Sequence, residues 1–178
     1  MTELWMPVRG FEHYQVSKEG LVRRYHPLPQ MLKPYPLPDG SLGVKLYREG
    51  RQHQMLVRRL VADAFCARPT ENSDTVIHKD HDKVNCDASN LAWRPRWFAW
   101  KYFRQLGEPI QHEWTIRPVR NRVTNVLFAN VMDAGIYDGT LSFDIYRSAM
   151  QRTWAFPFMQ YEFMDFTWTQ IERAELGL

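Results

Sequence analysis

Thr75, Val76 and Ile77 form a β-branched run that ends on His78, and a polar turn rich in Asp, Lys and Asn leads on to Asn90-Leu91-Ala92-Trp93. A neutral imidazole at the end of a strand can take a proton from water near pH 7, because its unperturbed pKa is about 6.5. Asp80 and Asp82 in the turn bring carboxylate oxygens, the donors that hard divalent cations prefer, with His81 between them. The other reactive side chains are two cysteines, Cys66 and Cys86. Without a pattern of pairs they read as reduced thiols in a cytosolic setting, neither a disulfide framework nor a structural zinc site.

The order of His, turn, Asn and helix resembles the HNH (His-Me finger) motif of phage and intron homing endonucleases, in the form VNHKDG-x-x-x-N-x-x-x-x-NLEW. The nineteen residues TVIHKDHDKVNCDASNLAW carry the resemblance. It implies a ββα finger in which His78 is the general base and Asn90 ties the loop together by side-chain hydrogen bonds. It also implies one magnesium or manganese ion, held by oxygen ligands at the residue before the histidine and at the ninth residue after the Asn of NL-x-W. Those two positions are Ile77 and Ala99, and neither side chain has a lone pair to offer. Asp80 and Asp82 remain as candidate ligands, beside the plainer reading of the same residues as a solvated turn. The expectation is a finger that keeps its fold and histidine and has no cofactor, with Mg²⁺ or Mn²⁺ bound only if it is active.

The elements that must position this stretch can be read on both sides of it. Residues 5–25 alternate apolar and polar residues around Val16 and Val22, with a Ser17-Lys18-Glu19-Gly20 turn between them, which is a β-hairpin pattern. They also resemble the small motif W-x-x-I-x-GFE-x-YEVSNEGRVRS that precedes HNH domains, and Arg23 and Arg24 could lie on phosphates there. A strand at 42–47, a turn at 48–51 and a returning strand lead into Val57–Phe65, whose apolar residues 57, 60, 61, 64 and 65 have helical spacing. This helix resembles LVHRLVALAF of the same family, with Arg58 in place of its His. It should form the floor under the finger, and Pro69 stops it. From Arg94 to Arg104 five aromatics interleave with four cations, which suits single strands or groove walls. The favoured reading of the same pattern is a helix that buries one aromatic face.

Gly107-Glu108-Pro109 breaks the pattern. Beyond it come a short strand, a helix near Ala129–Ala134, a Gly-containing turn, a helix near Ser142–Arg152 capped by Ser142, and a strand near Tyr161–Phe166. That order resembles the helix-turn-helix module appended to homing endonucleases. The aromatic tail, Phe156 to Trp168, is closer in type to a protein interface or a core than to a phosphate track.

The fold class expected is α+β, with units at 1–30, 31–106 and 107–178. Residues 1–106 carry 17 Lys/Arg against 11 Asp/Glu, a net of +6, and residues 107–178 carry 6 against 9, a net of −3. The basic part suits DNA through Arg23, Arg24, Arg58, Arg59, Arg94, Arg96, Lys101 and Arg104. The acidic part suits a phage protein complex. No apolar run approaches the ~20 residues of a membrane span. The resemblance favours an endonuclease as ancestry, while Ile77, Ala99 and the acidic part favour a silent relative, a DNA- or protein-binding subunit of a phage virion, replication or transcription assembly in the cytoplasm of an infected cell. The alternative is an active endonuclease that nicks or cuts DNA with His78 and one divalent metal.

Overall fold

The computed structural model describes residues 4–107 and 117–164. Among the described residues the architecture is α+β, with small antiparallel sheets and four α-helices. Contacts along the chain divide it into two compact units, residues 1–99 and 100–178. The break falls inside a helix rather than at Gly107. The reason is local, since Tyr102 and Gln105 of that helix hydrogen-bond to Gly135, Thr140 and Ser142 of the second unit.

In the first unit β1 (Trp5–Val8), β2 (Phe11–Ser17), β3 (Val22–Arg24) and β4 (Gln30–Met31) form one sheet in that order. The hairpin read from sequence is present, with Val16 opposite Val22 and both fully buried. Next come β5 (Tyr35–Pro36), β6 (Leu42–Arg48), β7 (Arg51–Leu56) and α1 (Val57–Phe65). α1 buries Val57, Leu60, Val61 and Ala62. β8 (Thr75–His78) and β9 (Leu91–Arg94) pair antiparallel, and α2 (Arg96–Gly107) follows, which completes a ββα finger.

The hairpin and the finger do not have separate cores. Val8, Phe11, Tyr14, Val16 and Val22 share one apolar cluster with Val44, Leu46, α1, Val76, Leu91 and Trp93. Each fully buried Val or Leu contributes about 1.5–3 kcal/mol, so residues 1–30 are held as part of this unit rather than as a unit of their own. α1 is the floor beneath the finger, where Trp93 Nε1 donates to Ala62 O at 3.0 Å.

In the second unit β10 (Val119–Asn121) is the middle strand between β11 (Leu127–Phe128) and β12 (Tyr161–Phe163). α3 (Val131–Asp138) and α4 (Ser142–Gln151) pack together, and α4 lies on β12. α3 begins later than the sequence pattern suggests because Asn130 caps it, its Oδ1 accepting from Met132 N and Asp133 N at 2.9 Å each. Gly139, at φ 61°, ends α3 in the left-handed conformation. A Cβ on Gly135 would stand 3.0 Å from Thr140 O, so glycine lets the chain turn closely there. Ser142 is not the cap of α4. Leu141 holds that position with no side-chain bond, and Gln105 Oε1 accepts from Ser142 N at 3.0 Å in its stead. The strand ends at Phe163, and Phe166 and Trp168 lie outside the described residues.

Candidate functional site

His78 is the last residue of β8, opposite Leu91 of β9. The loop between the two strands is irregular, and its own polar side chains hold it. Asn90 is the centre of that arrangement: its Oδ1 accepts from Asp80 N at 3.0 Å, and its Nδ2 donates to Asp80 Oδ1 at 2.8 Å and to Asn85 O at 2.9 Å. Asp80 also accepts from Asp82 N at 2.8 Å and from Asn85 Nδ2 at 2.7 Å. Partial burial pushes the Asp80 carboxyl up, but the bonds from Asn85, Asn90 and Asp82 outweigh it and hold it below the usual carboxylate range. Asp82 Oδ1 accepts from Val84 N at 2.9 Å. Asp87 Oδ1 takes the Ser89 amide at 2.8 Å, which caps a short 3₁₀ turn at Ala88–Asn90.

The hairpin braces this loop from outside. Lys18 O accepts from Ala88 N at 2.9 Å. Gly20 has φ 90°, and a Cβ there would lie 2.9 Å from the Cβ of Cys86. Both the left-handed conformation and the close approach require glycine. The motif signal pointed to a hairpin but not to what its turn would touch.

His78 itself is 1% exposed, and its Nε2 is buried with no hydrogen-bond partner. Burial lowers its pKa to about 4, and the positive charge of Arg58 adds to the effect against Asp80 and Asp82. The imidazole is therefore neutral at pH 7. Burial also pushes the Cys86 thiol up to about 11 and raises Cys66, so neither supplies a thiolate nucleophile at neutral pH. Both cysteines are free thiols.

The two positions at which the resemblance places the oxygen ligands of a divalent ion are Ile77, 0% exposed, and Ala99, 3% exposed. The oxygens nearest in sequence, on Asp80 and Asp82, are drawn into the loop's own hydrogen bonds. Among the described residues no group of three His, Cys, Asp or Glu side chains is gathered as a metal would need. This donor set does not fit a hard cation.

The cations expected to meet DNA are placed in different ways. Arg23 is held by Gln15 Oε1 at 2.9 and 2.7 Å and stands 4.0 Å over Trp5, and Arg24 donates to Gln30 Oε1 at 2.9 Å. Arg58 lies 3.9 Å from Asp39, and Arg59 lies 3.8 Å from Asp63 and 6.0 Å over Trp93. Arg94 departs from the expectation: it is 5% exposed and turned inward, its Nη1 donating to Trp93 O at 2.8 Å. Arg96, Lys101 and Arg104 on α2 are exposed. The helix buries Phe98 and Tyr102 and leaves Trp97 and Trp100 at 55% and 63% exposure, so one aromatic face is covered and another is open. Among the described residues no helix is long and apolar enough to cross a membrane.

No family model matches the chain. It is 36% identical over 90 residues to the DNA endonuclease I-HmuI of Bacillus phage SP01, a match that covers 50% of this chain and 51% of that protein. It is 31% identical over 83 residues to an HNH endonuclease of Acanthamoeba polyphaga mimivirus, covering 47% of this chain and 21% of that one. The chain thus spans about a fifth to a half of the length of these curated relatives. A solved structure described as DNA binding and cleavage by the HNH homing endonuclease I-HmuI superposes with a TM-score of 0.54 at 22% identity, over 91% of this chain and 98% of that one. That likeness is one of fold.

Proposed function

We propose, from the likeness of about half of this chain to HNH endonucleases, that it binds DNA with a finger that is a support rather than a working nuclease centre. The observation that carries this reading is the sealing of His78, 1% exposed beside an aliphatic Ile77. A general base must meet the water it deprotonates, and this imidazole is closed off from solvent. Asn90 and Asp80 then hold the loop as architecture. DNA is the polyanion of choice because the Bacillus phage relative is named a DNA endonuclease. Arg24, Arg58, Arg96, Lys101 and Arg104 supply the sequence-independent attraction to phosphates. In this role the protein would serve as a DNA-bound subunit of a phage replication, transcription or virion assembly in the infected cell.

The rival reading, an active endonuclease, has one observation in its favour. Burial keeps His78 neutral at pH 7, which is the form a base needs. Plasmid nicking separates the two. With Mg²⁺ or Mn²⁺ the protein should nick supercoiled DNA no faster than a His78→Ala variant. Metal-dependent nicking that disappears in the variant would restore the nuclease.

A further inference from the structure

β10 and β12 lie antiparallel, with Val119 opposite Phe163 and Arg120 opposite Glu162. Arg117 and Arg122, just outside the two ends of β10, therefore flank the same strand. Arg152 ends α4 in the left-handed conformation, at φ 54°, and comes to the same place. The three arginines line one open cleft of about 430 Å³. The Arg117 guanidinium stands 4.2 Å from the centre of the Phe163 ring, a contact that restrains the orientation of its donor fork.

Glu162 also lines the cleft, 3.7 Å from Arg122 and 3.9 Å from Arg120. One carboxylate cannot neutralise the set. Among the described residues neither Arg117 nor Arg152 has a carboxylate within ion-pair distance. The net −3 of residues 107–178 does not describe this body. Residues 117–164 hold five arginines against Asp133, Asp138, Asp144 and Glu162, a net of +1, and the acidic surplus sits in 108–116 and 165–178.

Cations that converge on a concave surface without matching counter-ions draw an anion, and guanidinium forks fit the oxygens of phosphate. The volume is in the range of small-molecule sites. We infer that this cleft binds a phosphate group, carried either by a nucleic-acid backbone or by a free nucleotide. The cleft lies wholly in the second unit, and its affinity would not depend on whether the finger is silent.

The test uses the full chain with two probes, a short synthetic duplex and inorganic pyrophosphate. Arg117→Gln with Arg152→Gln should weaken binding of at least one probe about tenfold or more, since each removes a charge-assisted hydrogen-bonding group. For the duplex, the salt dependence should flatten by about one unit of slope for each phosphate that the variant no longer neutralises. Arg147, which pairs with Asp144 at 3.3 Å and does not line the cleft, is the control. Arg147→Gln should leave both affinities unchanged. A loss on the duplex alone assigns the backbone, and a loss on pyrophosphate assigns a free nucleotide. Unchanged binding of both probes, or an equal loss in Arg147→Gln, overturns the inference. If the double variant melts early, Arg152→Gln alone, at an exposed position, carries the same test.

Discussion

The loop of the finger and the cleft of the second unit are both crowded with polar side chains, and they use them in opposite ways. In the loop, Asp80, Asp82, Asn85, Asp87 and Asn90 bond to one another and to the loop backbone. In the cleft, Arg117, Arg122 and Arg152 open onto solvent, and among the described residues only Arg122 of the three has a carboxylate within ion-pair distance, that of Glu162. A cluster of charge marks a binding site only when its members lack partners within the fold. By that measure the sequence motif lies in the part of the molecule that is chemically closed, and a set of arginines with no motif of their own lies in the part that is open.

The comparison is most easily broken at Asn90. Asn90→Ala removes three hydrogen bonds and leaves a backbone donor and acceptor of the loop unmatched. It should cost about 3 kcal/mol in urea unfolding, given net values near 1 kcal/mol per bond and more for orphaned groups. A loss well under 1 kcal/mol would mean that the loop is held by something else.

His78 gives the next largest effect. Its pKa of about 4 in the fold lies below the ~6.5 of an unfolded histidine. The unfolded chain therefore takes up the proton first as pH falls. The contribution of neutral His78 is full above about pH 6.5 and is lost as pH drops toward 4, so stability should fall by about 2 kcal/mol more between pH 7 and 5 than in a His78→Leu variant. Equal pH slopes in the two proteins would show that the imidazole is reached by solvent after all.

The smallest effect is expected at Gln105. Its side chain serves the turn between α3 and α4 through bonds of 3.0 and 3.2 Å from Ser142 and one of 3.3 Å to Thr140 O. Gln105→Ala should lower stability by about 1–2 kcal/mol, because the helix pair also has its own apolar core of Val131, Ala134 and Ile145. A cost above that of Asn90→Ala would reverse the comparison, and the turn would be the more dependent structure.

Much of the fold was legible because its signals are local. The Val16–Val22 hairpin follows from alternation and a glycine turn, and α1 from apolar spacing that matches Val57–Phe65. The role of Asn90 was legible through the motif, and its side-chain bonds reach no farther than Asp80. The start of α3 carries a local signal too, Asn130 followed three residues later by Asp133, whose carboxylate accepts from Asn130 Nδ2 at 2.8 Å. Other features have no local sign. Arg94 resembles its cationic neighbours in sequence, and only the packing of β9 turns it inward. The cleft draws arginines from before β10, after β10 and after α4, and no spacing rule joins those places. The cap of α4 comes from a residue 37 positions earlier, on another helix.

That distant cap bears on how such proteins can exchange parts. A recombination junction placed at Gly107 would look natural, since that glycine is the last residue of α2 and a proline stands two residues on. It would pair a foreign helix with this second unit and strand the amide of Ser142. A crossover upstream of Tyr102 would carry Tyr102 and Gln105 with the partners they serve. The heritable module therefore begins within α2, and chimaeras joined at Gly107 should be recovered less often than those joined a turn or two earlier.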